Sequence, residues 1–347
     1  MSIAKAQGYL RIATEEAWSP PEMLQMYRDA LARKAVPDIG FNSMWGFYLG
    51  SKSARATSII ERLQWLDERR IRDMDATGID KQLLLLTAPG VQVFDAPTGT
   101  ALARSSNDQL AAAVRSHPQR YAGLAAVAPQ DPRAAAQEIE RAMTRLAMKG
   151  VVVNSHVHGE YLDKEKFWEV FAAAEAFNAP IYIHPNTPPA NMIQPFLEAG
   201  LDGAIYGFGV ETGLHILRII VAGVFDRFPK LKIVIGHMGE ALPFWLYRLD
   251  YMYRATLASQ RYPNWKPNRR LPSEYLRDNI YITTSGVAWA PAIQFAQQVL
   301  GVDRVLYAMD YPYQFSADEV LATDNVPISA ADKKALFQLN AERVFSL

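Results

Sequence analysis

Short apolar runs along this chain end repeatedly on residues able to bind a cation or move a proton. Glu15 and Glu16 follow Y-L-R-I-A-T, Thr87 follows Q-L-L-L-L, and Asn154 follows V-V-V. His184 follows I-Y-I, His237 follows K-I-V-I-G, and Asp310 follows V-L-Y-A-M. The chain has no cysteine, so disulfides and thiolate ligands are both excluded. A bound metal would then rest on carboxylate, imidazole or backbone oxygen. An acid, an imidazole and a second acid make a hard, mixed oxygen and nitrogen donor set. Such a set suits Mn2+ or Zn2+, and its carboxylate share tilts it towards Mn2+. His237, in G-H-M-G-E-A-L-P, could be a fourth ligand or an acid/base and orienting group, and the second role is preferred. His156 and His158, in N-S-H-V-H-G-E, have the look of a metal pair but fall beyond a strand, on its loop. His117 before Pro118 and His215 within a helical pattern read as structural.

Taken singly, each of these residues has an ordinary explanation as a turn former or a satisfied core group. What makes them a set is the architecture that carries them. Eight β-rich runs lie near 9–14, 82–87, 121–128, 150–154, 180–184, 232–237, 280–284 and 304–310. Helical patterns separate them, as at 130–148, where Asp131-Pro132 opens a helix and Gly150 stops the chain before the next strand. Continuous apolar strands alternating with helices indicate a parallel sheet covered by helices. Eight such units predict an α/β fold, a (β/α)8 TIM-type barrel, in which the C-terminal strand ends share one mouth. Insertions follow strands one and five, at 19–80 and 185–212, over that mouth. The first contains V-P-D-I-G-F-N-S-M-W-G-F-Y-L-G, read as an aromatic and glycine-rich loop able to cover the site. The whole chain, 1–347, is read as one domain.

Alternation along the first strand separates its two acids. Leu10 and Ile12 share a face suited to packing against helices. Ala13, Glu15 and Ala17 share the other, so Glu15 is nominated for the mouth and Glu16 for a supporting contact.

Bulk properties narrow the function. Lys+Arg and Asp+Glu number 36 each, giving a formal net charge of zero. No long basic or acidic run recommends nucleic acid or an anionic membrane as a partner. Neither a basic-then-apolar leader nor an apolar run of about 18 residues is visible, so a cytoplasmic enzyme acting on a small molecule is expected.

E-E near the start, I-H-P after strand five, G-H-M-G-E-x-L-P on strand six and D-Y-P on strand eight resemble the metal-dependent decarboxylase branch of the amidohydrolase superfamily. The resemblance extends nearly end to end. It runs through R-R-I-R-D-M-D-A-T-G-I-D-K, L-E-A-G-L-D-G-A-I-Y-G-F-G-V-E-T-G and Y-A-M-D-Y-P-Y-Q. It implies non-oxidative loss of CO2 from an ortho-hydroxylated aromatic acid, with 5-carboxyvanillate, from lignin-derived biaryl catabolism, as the expected substrate. A resorcylate-type hydroxybenzoate is the alternative, and a metal-dependent hydrolase the more distant one. The resemblance further implies Mn2+, with Zn2+ possible and no organic cofactor, held by Glu15, His184 and Asp310. Asp310 or His237 would deliver the proton. Arg55, Arg248, Tyr313, His237, Thr87 and Phe208 would contact the substrate. Resorcylate-type members add a histidine two residues after the first glutamate, where this chain has Ala17. Members of this kind also pair, so a homo-oligomer, dimer or tetramer, is expected.

Overall fold

The structure is a computed structural model that describes residues 8–347, so the first seven residues of the expected domain lie outside it. Its strands are β1 (Ile12–Trp18), β2 (Lys81–Leu86), β3 (Tyr121–Gly123), β4 (Ala125–Ala126) and β5 (Val151–Val153). They continue as β6 (Ile181–Ile183), β7 (Ile233–Ile235), β8 (Ile280–Thr283) and β9 (Val305–Leu306). All pair in parallel, in the orders β1-β2-β3 and β4 through β9. Only Leu124 separates β3 from β4. Its N–H donates to Leu84 O (2.8 Å), while the next amide, Ala125 N–H, donates to Gly150 O (2.9 Å). The two segments are thus one barrel strand that changes neighbours midway. At the other seam Thr14 N–H donates to Tyr307 O (3.0 Å) and Ala17 N–H to Tyr311 O (2.7 Å), which closes the barrel. The result is the expected (β/α)8 barrel. Most of its strands are apolar on both faces because helices cover the outside and side-chain layers fill the inside.

The first strand departs from its expected limits. It runs from Ile12 to Trp18, so both glutamates lie within it rather than at its end. Leu10, expected to pack against helices, is 44 % exposed. Pairing with β2 sets this register, from Ile12 opposite Lys81 to Trp18 opposite Leu86. Between Ala13 and Glu16 β1 carries one residue more than β2, a bulge beside the two acids.

The 19–80 insertion is helical: Pro21–Arg33, Ile39–Gly50, Ala54–Leu63 and Glu68–Thr77. The stretch read as an aromatic loop is the second of these helices. Asp38 caps it by accepting Phe41 N–H (2.8 Å). Its sequence showed no helical stripe because the helix is apolar almost all round, buried on one side and facing a cavity on another. Trp45 is fully buried and donates Nε1–H to Ala88 O (3.1 Å). At Gly40 a Cβ would lie 1.9 Å from Thr187 Oγ1, so only glycine lets this helix close on the loop after β6. Ser43 donates to Asp202 (2.8 Å), joining the first insertion to the second. Among the described residues no helix is long and apolar enough to cross a membrane.

The β3–β4 switch depends on Asn107, from the helix Ala96–Ser116. Its Oδ1 accepts Ala126 N–H (2.7 Å), and its Nδ2 donates to Ala126 O (2.9 Å) and Glu138 (2.7 Å). Asn107→Ala would orphan both backbone groups of Ala126, at about 1–3 kcal/mol each. Chemical denaturation should show a loss of about 2 kcal/mol or more; a loss below about 0.5 kcal/mol, ordinary for a surface site, would contradict this role.

Candidate metal centre and active site

Glu15 projects from β1 into the barrel, where it is 1 % exposed. Tyr182 OH on β6 and Thr283 Oγ1 on β8 (3.0 Å) both donate to its Oε2. Its Oε1 is buried with no hydrogen-bond partner. Two imidazoles face that oxygen, with His184 Nε2 at 3.5 Å and His237 Nε2 at 3.6 Å. Asp310 Oδ2 lies 3.9 Å from His237 Nε2. Each imidazole spends its Nδ1–H elsewhere, on Pro185 O (2.8 Å) for His184 and on Glu240 (3.0 Å) for His237. That turns both Nε2 atoms to the cluster, the orientation a metal-binding histidine needs.

An unpaired, buried carboxylate oxygen between two imidazole Nε2 atoms, beside a second carboxylate, fits a divalent cation. The tightest triplet is Glu15, His237 and Asp310, whose ligand atoms all lie within 4.8 Å of one another. His184, expected as the ligand, sits at the edge of this triplet, against Glu15. His237, preferred as an acid/base group, is as well placed to ligate as His184 is. Ala17, where a further histidine ligand would stand, is buried and adds no donor side chain.

The charges in the cluster are strongly perturbed. Burial works to lower the His237 pKa, but the Glu15, Glu240 and Asp310 carboxylates outweigh it and hold the ring well above its usual value. His184 is pushed down by burial, with Glu15 opposing. Asp310 is pushed up to about 6 by burial, against the pull of His237.

Backbone conformation aims two of these groups. Five successive residues, His237 to Ala241, hold positive φ (50°, 58°, 76°, 51° and 60°), a left-handed turn at the end of β7. Non-glycine residues adopt that region at a cost, and such strain concentrates at functional sites. Asp310 is likewise left-handed, at φ 73°.

A cavity of about 370 Å³ opens beside the cluster. Arg55, Thr87, His184, Phe208, His237, Asp310 and Tyr313 all line it, so the structure brings together nearly every expected site residue. Thr87 Oγ1 lies 2.6 Å from Tyr313 OH, and Arg55 reaches over to donate to Tyr313 O (2.7 Å). Met44, Phe47 and Tyr48 from the helical insertion form part of the wall.

Arg248 is the exception. It lies on an exposed face of the helix Leu242–Ala258 and does not line the cavity, so within one copy of the chain it does not meet a ligand there. His156 is buried away from the cluster, bonded to Thr187 O (3.0 Å) and Gly159 N–H (3.1 Å); His158 lines a separate groove. His215 is buried and accepts Leu162 N–H (3.0 Å), and His117 packs edge-on against Tyr121. Three supporting residues escaped the sequence reading: Tyr182, Thr283 and Glu240. A lone tyrosine inside I-Y-I and an acid three residues after His237 were the available signals.

Residues 55–347 match the family described as Amidohydrolase. A gamma-resorcylate decarboxylase of Polaromonas sp. (strain JS666) is 35 % identical over 294 residues, covering 82 % of this chain and 89 % of the relative. A 5-carboxyvanillate decarboxylase structure from Novosphingobium aromaticivorans holds manganese and 3-methoxy-4-hydroxy-5-nitrobenzoic acid. It superposes with a TM-score of 0.96 at 55 % identity, over 99 % of this chain and 98 % of that one. A 5-carboxyvanillate decarboxylase structure from Sphingomonas paucimobilis gives 0.93 at 41 %, over 98 % and 100 %. These near-complete superpositions show that the chain shares its fold with those proteins. The chain belongs to the amidohydrolase family, alongside these decarboxylases.

Gly236, on the strand end before His237, leaves room for Glu15: a Cβ there would lie 2.4 Å from Glu15 Oε2. Gly236→Ala alters no ligand yet must displace that carboxylate. Calorimetric titration of metal-stripped protein should show divalent affinity lowered about 10- to 100-fold; unchanged affinity would contradict the placement of Glu15 in the centre.

Proposed function

We propose that the protein is a divalent-metal-dependent carboxy-lyase that removes CO2 from an ortho-hydroxylated aromatic acid, with 5-carboxyvanillate converted to vanillate. One observation carries the reading: the unpartnered Glu15 Oε1 faces His184, His237 and Asp310, and those three line a cavity that Arg55 also lines. The likeness to manganese-bound decarboxylases supports Mn2+ as the metal.

Glu15, Asp310 and His184 would hold the cation, with His237 beside them. When bound, it supplies Lewis acidity and a template for an ortho-hydroxyl and its neighbouring carboxylate. Arg55 would bind the carboxylate that remains on the ring through charge-assisted hydrogen bonds. Thr87 and Tyr313 would set the ring edge, and Phe208 its face. Asp310 would donate a proton to the ring carbon bearing the departing carboxylate. The C–C bond to that carboxylate then breaks, its electron pair restores aromaticity, and CO2 leaves. His237, 3.9 Å from Asp310, is placed to return a proton to it. The helix Ile39–Gly50 narrows water access, which favours conversion of a charged carboxylate to neutral CO2.

A hydroxybenzoate of the resorcylate type is the second reading, favoured by the 35 % relative. Arg55 argues for the dicarboxylate, since it sets a guanidinium on the cavity wall where a second carboxylate would bind.

We read the protein as a homo-oligomer. Phe244, Trp245, Tyr247 and Tyr251 are exposed by 48–84 % on the helix Leu242–Ala258, more aromatic surface than one helix ordinarily leaves in water. Arg248 lies among them, so a neighbouring copy's cavity is where it could act.

The test is CO2 release from 5-carboxyvanillate by metal-stripped protein before and after Mn2+ addition. Activity should appear only with metal, vanish in Glu15→Ala and fall about 10²- to 10⁴-fold in Asp310→Asn. Wild-type activity on 2,6-dihydroxybenzoate alone would move the substrate to the second reading, and no CO2 from either would overturn the lyase.

A further inference from the structure

The second acid of the E-E pair has a task of its own. Glu16 points away from the barrel interior and is fully buried. Its Oε1 accepts Met309 N–H (2.9 Å), and its Oε2 accepts Tyr311 N–H (3.3 Å) and Gln82 Nε2–H (3.3 Å). Met309 and Tyr311 are the residues on either side of Asp310. A single carboxylate therefore grips the backbone before and after the proposed proton donor, and does so from the strand that also supplies Glu15.

That grip falls where the chain needs it. Asp310 holds a left-handed φ of 73°, a conformation that a non-glycine residue keeps only when its surroundings impose it. Two further ties hold the same segment. Ala17 N–H donates to Tyr311 O (2.7 Å), and the Arg70 guanidinium stacks 4.3 Å over the Tyr311 ring. Arg70, itself buried, donates Nε–H to Gln82 Oε1 (2.6 Å) and Nη1–H to Ala17 O (2.9 Å). Gln82 is thereby fixed so that its amide N–H faces Glu16. Every polar group bonded to Glu16 is a donor, which suits an acceptor-only carboxylate. A glutamine could not reproduce the arrangement, because one amide oxygen cannot accept on both sides and its NH2 would meet a backbone N–H.

We propose that Glu16 is a positioning residue for Asp310: its carboxylate, held by Gln82 and Arg70, accepts the two amides flanking Asp310 and so keeps that side chain turned to Glu15 and His237. The assignment rests on the reading of Asp310 as part of the metal centre, but the conformation it claims can be observed without that reading.

The test is Glu16→Gln, followed by a crystal structure of the variant and by Mn2+ titration of metal-stripped protein, with Asp310→Asn as reference. The crystal should show Asp310 out of its left-handed conformation or its carboxylate turned from His237. Mn2+ affinity should fall about 10- to 100-fold, and kcat should fall with KM little changed. A folded Glu16→Gln protein with Asp310 unmoved and Mn2+ affinity unaltered would overturn the proposal. If wild type itself bound no Mn2+, the metal-centre reading would fall, and the Asp310 conformation in the variant would decide the positioning claim alone. If Glu16→Gln did not fold, the same two readouts would be taken on Gln82→Met, which removes the lateral donor that fixes the carboxylate. An unmoved Asp310 with unweakened binding there would equally overturn it.

Discussion

A carboxylate taken out of water into a barrel interior costs several kcal/mol unless its surroundings restore what solvation supplied. Glu15 is such a group, and much of the site is arranged around it. Tyr182 from β6 and Thr283 from β8 satisfy one of its oxygens. The other is left without a hydrogen bond, facing two imidazole Nε2 atoms. Gly236 on the intervening strand end has no side chain because Glu15 occupies the space. Three strands of the far wall thus conform to a single acid on the first, whose free oxygen is placed to take a cation.

The adjacent glutamates show how one strand can serve two layers. Side chains alternate along β1, so Glu15 enters the barrel while Glu16 turns outward to the seam where the chain after β9 closes on β1. The inward acid faces the imidazoles and the second carboxylate, and the outward acid holds the backbone on either side of Asp310. Covering helices contribute indirectly: Arg70, from Glu68–Thr77, reaches both Gln82 and the Tyr311 ring. The strained His237–Ala241 turn and the left-handed Asp310 sit on neighbouring parts of the same rim. Precision at this mouth therefore depends on strand ends, with the long insertions supplying walls and cover.

Much of this was legible in the chain because it follows from period and composition. Aliphatic runs such as V-V-V and I-V-I can only be buried strands when helices alternate with them, and the eight barrel strands lie close to where those runs predict. Alternation separated Glu15 from Glu16 even across a bulge. What stayed hidden depended on contacts distant in sequence. The limits of β1 are set by pairing with β2, so Leu10 was assigned to a core it does not enter. Ile39–Gly50 has no polar face and two glycines, so its helical character was masked. Tyr182 and Thr283 matter because they meet Glu15 across the barrel, separated from it by 167 and 268 residues. Arg55 was placed by resemblance, since nothing local distinguishes it from a surface arginine. Arg248, placed by the same route, lies outside the cavity of its own chain.

The central claim is that Glu15 holds a divalent cation together with the imidazole and carboxylate groups around it. Anomalous diffraction from crystals grown with Mn2+ tests it most directly. The account predicts one strong peak within bonding distance of Glu15 Oε1, a cluster imidazole Nε2 and Asp310. No peak there, or a peak at carboxylates elsewhere with Glu15 unliganded, would contradict it.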